Sequence, residues 1–195
     1  RHNIYNALAA YGVARSMGIE VVDIAQALSS MTSTPGRLEV IRAGQPFNVY
    51  VDYAHTDDAL RQVMETLREI TDGRVLTIFG CGGNRDKGKR IKMGKVAAEQ
   101  ADEIIITSDN SRNEDPAIIA GEIAEGCRNV RQGGFEIELD RARAIDEIIR
   151  RAREGDTVLL AGKGHETFQE AEGISQPFDD RKKARETLQA IGFSD

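Results

Sequence analysis

The chain has 195 residues, 40% hydrophobic and 30% charged, with a formal net charge of -6. Such a length holds one good core, or one domain and a piece of another. The acidic balance argues against a general nucleic-acid binder, and no apolar run approaches the length of a membrane span.

From Asn3 to Met17, the residues Ile4, Leu8, Ala9, Val13 and Met17 recur at helical spacing, and Gly18 is a natural terminator. Val21 to Met31 repeats the pattern with Ile24, Ala25, Ala27 and Leu28. The breakers from Thr32 to Gly36 then read as a linker, so a domain boundary is expected after residue 34. Arg1 opens inside a helical pattern without an initiator Met, which reads as a piece of a longer chain. No signal-peptide pattern is present, and the expected compartment is the cytoplasm.

Leu38 to Ile41 and Phe47 to Val51 alternate apolar with polar residues around Ala43-Gly44-Gln45-Pro46, which predicts a hairpin. Thr56 can cap a helix from Asp57 to Ile70 whose first turn carries Asp57 and Asp58, and Gly73 lies just beyond it. A strand follows over Val75 to Phe79, then a glycine turn, a helix from about Ile91 to Gln100, and a strand from Glu103 to Thr107. Pro116 suits the first position of a helix running to about Arg128. A strand at Phe135 to Leu139, a helix at Arg141 to Arg153, a buried strand at Thr157 to Ala161 and a helix at Asp180 to Ile191 complete the reading. The alternation predicts an α/β fold: a Rossmann-like, mainly parallel sheet with helices on both faces and an antiparallel edge hairpin, preceded by two helices.

Ligands of such sheets bind beyond the carboxyl ends of the strands. The stretch after Phe79, Gly80-Cys81-Gly82-Gly83-Asn84-Arg85-Asp86-Lys87-Gly88-Lys89-Arg90, delivers cations there. Gly83, Gly88 and Lys89 satisfy the first part of a phosphate-loop pattern, but Arg90 stands where that loop needs a hydroxyl for magnesium. A carboxylate site is the better reading, with Arg85 the best two-pronged donor; a merely solvated basic turn is the rival. Two further loops, Asp109-Asn110-Ser111-Arg112 and Gly162-Lys163-Gly164-His165-Glu166, are expected at the same rim with Asp52-Tyr53-Ala54-His55. Arg85 and Arg112 beside Asp109 and Glu166 would suit a zwitterionic amino acid, whose carboxylate pairs with arginine and whose ammonium pairs with an acid. Taken singly, the first of these loops also reads as an Asx-capped turn and the second as a flexible connection. Cys81 and Cys127 are too few and too far apart for a disulfide framework, and the scattered His2, His55 and His165 give a zinc cluster little support.

Six motifs in order carry a resemblance: Arg1-His2-Asn3-x-x-Asn6-x-x-Ala9-Ala10, Pro35-Gly36-Arg37-x-Glu39, Asp52-Tyr53-Ala54-His55-Thr56, the Gly80 to Arg90 stretch, Asp109-Asn110-Ser111-Arg112 and Gly162 to Glu166. Together they resemble the C-terminal part of a Mur ligase. The resemblance implies an ATP-dependent amide ligase of peptidoglycan precursor synthesis, using ATP and Mg2+ to phosphorylate the glutamyl carboxylate of UDP-MurNAc-L-Ala-D-Glu before attack by a diamino acid. It implies that residues 1–34 end a central ATP-binding domain and residues 35–195 form the C-terminal domain. Asn3, Asn6, Arg37, Asp52, Tyr53 and His55 would lie by the nucleotide. Arg85, Asp109, Asn110, Ser111, Arg112, Gly162 and Glu166 would hold the amino acid. Catalytic residues and the Mg2+ site would belong to upstream sequence, so this segment is not expected to catalyse alone. Arg112 would pair with the extra carboxylate that meso-diaminopimelate has and lysine lacks. Ser111 stands where the family pattern usually has proline. Addition of lysine or another amino acid, or a non-catalytic amino-acid- or nucleotide-binding domain, are the alternative readings.

Overall fold

The computed structural model describes residues 2–31 and 34–194, with the side chains of His2 and Asn3 left out. The chain divides into two compact units, Arg1–Ser33 and Thr34–Asp195. The first contains helices α1 (His2–Ser16) and α2 (Val21–Ser30). An apolar groove of about 230 Å³ between them is lined by Ala10, Ala14, Ile19, Ile24, Ala27 and Leu28.

The second unit is built on strands β1 (Glu39–Ile41), β2 (Asn48–Asp52), β3 (Val75–Phe79), β4 (Glu103–Ile106), β5 (Phe135–Ile137) and β6 (Thr157–Ala161). They lie in the order β1-β2-β6-β3-β4-β5. Only the β1–β2 pair is antiparallel, as the predicted hairpin requires. Every residue of β3 and β6 is buried, which explains continuous apolar runs in place of alternation: both faces are covered. Both edge strands have three residues, which limits the main-chain hydrogen-bonding edge open to other chains.

Helices α3 (Asp57–Ile70), α4 (Gly88–Gln100) and α5 (Pro116–Arg128) cover one face. Helices α6 (Arg141–Arg151) and α7 (Asp180–Ala190) cover the other. On α3, Leu60, Met64 and Leu67 fall at i, i+4 and i+7 and are fully buried against the sheet. On α6, Ile145, Ile148 and Ile149, at i, i+3 and i+4, are fully buried on the opposite face, each worth about 1.5–3 kcal/mol of transfer free energy. The predicted Thr56 cap and the Pro116 start hold: the Thr56 hydroxyl accepts from the Ala59 amide at 3.2 Å, and Pro116 opens its helix behind Asp115, whose side chain accepts from the Ala117 amide.

Three expectations need correction. Helix α4 begins at Gly88, a turn before Ile91, where the Asp86 carboxylate accepts the Gly88 amide at 2.8 Å in a turn that leads into the helix. Strand β5 ends at Ile137, two residues short, since it is an edge strand. The stretch after Glu166, read without regular structure, forms a second antiparallel hairpin, β7 (Phe168–Ala171) and β8 (Ile174–Pro177). Its two-residue turn, Glu172-Gly173, has φ of 52° and 73°, the pair of positive values that a type I′ hairpin turn needs.

Register fixes where the loops fall. Asp52 is level with Ala161, Ile78 with Leu160, and Phe79 with Ile106, so β2, β6, β3 and β4 end on one line. Their carboxyl ends therefore open onto a single rim. It is secured from behind by Arg141, fully buried, whose guanidinium donates to both oxygens of Asp180 at 2.8 and 2.6 Å, to the Ala161 carbonyl at 3.0 Å and to the Ser108 carbonyl at 3.3 Å.

Candidate functional site

The glycines after β3 serve a close backbone approach. A Cβ on Gly80 would lie 2.2 Å from the Thr107 carbonyl oxygen, and one on Gly83 would lie 1.9 Å from that of Ser111. Any side chain would push apart the loops that follow β3 and β4. The Gly83 amide donates to the Asn110 carbonyl at 2.9 Å and fastens them. This contact, and not a phosphate cradle, accounts for the glycine spacing.

Arg112 sits on the second loop at φ 51°, a left-handed conformation unusual for a residue with a Cβ. Its main chain is held on both sides by the β7–β8 hairpin: Arg112 N donates to Glu170 O at 3.1 Å, and Glu172 N donates to Arg112 O at 2.6 Å. Its Nη1 donates to Gly83 O at 2.8 Å, and its Nε lies 3.4 Å from Glu170 Oε2. Among the described residues Nη2 has no acceptor, and the side chain is 23% exposed. Arg85 is exposed; its Cγ lies 3.9 Å, and Arg112 Nη1 3.0 Å, from a Cβ built on Gly82. Both arginines therefore border that glycine.

The loop after β6 meets the same loop from the other side. Gly162, at φ 110°, leaves room for the Asp109 carboxylate, whose Oδ2 would be 2.9 Å from a Cβ there. Lys163 is fully buried and donates to Asn110 Oδ1 and Glu166 Oε2, both at 3.1 Å, with its Nζ 5.6 Å from the Phe168 ring centre. Asn110 Oδ1 also accepts from the Glu170 amide at 3.0 Å. Two donors on that oxygen assign the amide, so Nδ2 is the atom that donates to Glu166 Oε2 at 2.9 Å. Glu166 Oε1 then has no partner among the described residues, while Oε2 is ion-paired with Lys163. Asp109, Asn110, Ser111, Arg112, Gly162 and Glu166 are thus brought together, with Arg85 at the border.

A second cluster lies at the ends of β2 and β6. The carboxylate of Asp52, buried, accepts the Leu38 and Ala54 amides at 2.7 Å each. Burial raises its pKa, an effect opposed by those two hydrogen bonds and by Arg37. The Arg37 guanidinium lies 5.2 Å from the Tyr53 ring centre, and Tyr53 meets His55 at 4.6 Å and His165 at 5.4 Å. Gly36 and Gly164 interlock: a Cβ on Gly36 would lie 2.2 Å from the His165 nitrogen, and one on Gly164 2.7 Å from Tyr53 Cβ. Lys89 caps the His55 carbonyl at 2.7 Å. In the first unit, Asn6 is an exposed residue of α1; the Asn3 side chain lies outside the described residues.

Sequence reasoning missed Lys163 and Glu170 as members of the first cluster. Lys163 was visible as a lone cation between two glycines after a fully buried strand; Glu170 gave no signal, because the hairpin that carries it was not foreseen. Arg90, read with Lys87 and Lys89 as a candidate surface charge, is fully buried and grips Glu114 at 3.1 Å and Glu122 at 2.7 Å. Glu114 also accepts the Asn84 amide, and Arg90 with that amide holds its carboxyl down at about 2. Among the described residues no three His, Cys, Asp or Glu side chains gather as metal ligands, and no helix is long and apolar enough to cross a membrane.

Residues 36–164 match the family model described as Mur ligase, glutamate ligase domain. The chain belongs to the Mur ligase family. This Mur ligase chain is 48% identical over 191 residues to the UDP-N-acetylmuramoyl-L-alanyl-D-glutamate--2,6-diaminopimelate ligase of Solibacter usitatus, covering 98% of the chain and 38% of that protein. The protein of the same name from Syntrophomonas wolfei is 46% identical over 186 residues, covering 95% of the chain and 38% of the relative. A solved structure titled as a UDP-N-acetylmuramoyl-L-alanyl-D-glutamate--2,6-diaminopimelate ligase superposes with a TM-score of 0.77 at 37% identity, over 98% of the chain and 39% of its own. The Mur ligase chain thus spans under two fifths of the length of these relatives.

Proposed function

We propose that this chain is the amino-acid-binding and nucleotide-closing part of an ATP-dependent amide ligase that adds meso-diaminopimelate to UDP-MurNAc-L-Ala-D-Glu in the cytoplasm. The observation that carries the reading is Arg112, held by main-chain bonds on both sides with Nη2 open, in one cluster with Glu166, whose Oε2 is held by Lys163 and Asn110 and whose Oε1 is open. A guanidinium and a carboxylate fixed at one rim suit a ligand bearing both signs of charge. The arginine selects the ligand with the additional carboxylate, because only that ligand gives the open Nη2 an acceptor. The names of the relatives point to the same amino acid.

In this reading Arg85, Asp109, Asn110, Ser111, Arg112, Gly162 and Glu166 form the amino-acid site, with Lys163 bracing Asn110 and Glu166 from beneath. Arg37, Tyr53 and His55 form the nucleotide edge. The cation stacked on an aromatic ring suits a polyphosphate beside a base or sugar. Asp52 holds that edge in shape and offers a ribose only the lone pairs that its two amides leave free. In this reading residues 1–34, with Asn3 and Asn6, are the end of a central ATP-binding domain whose upstream part supplies the Mg2+ ligands, and residues 35–195 are the C-terminal domain. ATP activates the glutamyl carboxylate and the incoming amine displaces phosphate. The test is the full-length protein with ATP and UDP-MurNAc-L-Ala-D-Glu, assayed for ADP release with meso-diaminopimelate and with lysine. ADP release with meso-diaminopimelate far above that with lysine is expected; equal use of lysine, or no ADP release with either, would overturn the reading.

A further inference from the structure

We propose that Glu39 and Arg181 are positioning residues for the nucleotide: the guanidinium on α7 holds the Glu39 carboxylate, and that carboxylate fixes the turn that presents Arg37. The inference rests on the reading above and adds to it two residues that act through Arg37 without touching either ligand.

The turn around Arg37 has to be held from outside. Gly36 and Leu38 both lie in left-handed backbone, at φ 69° and 44°, and Leu38 carries a Cβ. Four bonds keep that shape: Arg37 N donates to Thr34 O at 3.0 Å, Leu38 N to Asp52 Oδ2 at 2.7 Å, Tyr53 N to Gly36 O at 2.8 Å, and Gly36 N to Glu39 Oε2 at 2.8 Å. Glu39 stands on β1, so the last of these ties the turn to the edge of the sheet. Gly36 is seated against the His165 main chain on one side and precedes Arg37 on the other. A Gly36 amide released from Glu39 therefore shifts the guanidinium that lies over Tyr53.

Arg181 lies in the first turn of α7, the end of a helix where a cation is unfavourable, yet its side chain is only 16% exposed. Its contacts account for it there. Nε and Nη2 donate to the two oxygens of Asp179 at 2.9 and 2.7 Å, which aims the guanidinium. Nη1 then lies 3.5 Å from Glu39 Oε2, and Nη2 also donates to the His165 carbonyl at 3.4 Å. One guanidinium thus reaches both the acid that grips Gly36 and the main chain that packs on Gly36. It also offsets the charge of an acid two residues from Arg37, a charge that would otherwise repel a polyphosphate.

The experiment measures KM for ATP and for meso-diaminopimelate, each with the other saturating, in the full-length ligase and its Glu39→Ala, Glu39→Gln and Arg181→Met variants. KM does not depend on how much of a variant is folded, so it separates positioning from lost stability. Glu39→Ala is expected to raise KM for ATP about tenfold or more and to leave KM for meso-diaminopimelate within about threefold, since a bond to a charged acceptor is worth roughly that factor. Glu39→Gln, whose amide oxygen can still accept from Gly36, should recover most of the loss. Arg181→Met should raise KM for ATP in the same direction, and it carries the comparison if Glu39→Ala does not fold. An unchanged KM for ATP in Glu39→Ala and Arg181→Met, with only a lower unfolding temperature, would reduce the pair to a structural brace and overturn the proposal. Equal shifts for both substrates, or Glu39→Gln as impaired as Glu39→Ala, would overturn it as well. Absence of ATP-dependent ligation in the unsubstituted enzyme would instead strike the functional reading itself, and this inference with it.

Discussion

Arg112→Ala separates recognition from folding at one position. The main-chain bonds to Glu170 and Glu172 do not depend on the side chain, so the loop stays attached to the hairpin. The strain at φ 51° is common to both residues, because each has a Cβ. What the fold loses is chiefly the bond from Nη1 to Gly83 O, about 1 kcal/mol for a hydrogen bond with a partly exposed donor. What the site loses is the open Nη2, whose charge-assisted bond to a carboxylate is worth about 2–3 kcal/mol, or about 30- to 150-fold in kcat/KM. Steady-state kinetics of the full-length ligase with meso-diaminopimelate and lysine should show that loss for the first substrate and little change for the second. A variant that keeps its preference within about threefold would refute the role given to Arg112.

Three other predictions test the scaffold. Asp180→Asn leaves the fully buried Arg141 guanidinium without its counter-charge, which costs about 3–5 kcal/mol; hydrogen exchange at β4 and β6 should accelerate by roughly two to four orders of magnitude, and unchanged protection would sink the claim. Because the Glu114 carboxyl is held at about 2 by Arg90 and the Asn84 amide, below its usual 4.5, its contribution is present above about pH 4.5 and lost as pH falls toward 2; Glu114→Gln should lower the unfolding temperature at neutral pH and converge with the parent near pH 2. Burial pushes the thiols of Cys81 and Cys127 up to about 12 and 11, so a thiol reagent at pH 8 should label neither in the native protein and both in denaturant; native labelling would contradict the packing.

The sheet was legible because its strands obey one simple rule. Val75 to Phe79 and Thr157 to Ala161 are runs without charged residues in which only Thr77 and Thr157 are polar, and a strand covered on both faces accommodates such a run between short loops. The helices were legible from caps, as at Thr56 and Pro116. The β7–β8 hairpin was not, because its residues are mostly exposed, and it is held by pairing with Arg112, more than 50 residues away, which no local pattern encodes. Site membership followed the same division. Arg112, Asp109 and Glu166 lie directly after strands and could be placed by topology, whereas Lys163 and Arg90 owe their roles to burial. A cation on a loop looks the same in sequence whether it meets water or a buried carboxylate.

The five residues from Gly162 to Glu166 belong to both clusters at once: Lys163 and Glu166 brace Asn110, while Gly164 and His165 are wedged against Gly36 and Tyr53 with no side chain to act as a cushion. A displacement of this segment by one ligand must therefore be felt by the other, and reciprocity requires the two effects to be equal. With the nucleotide and the amino acid at the two proposed sites, the affinity for each is expected to change when the other is bound, and unchanged affinity would show that the shared segment does not couple them.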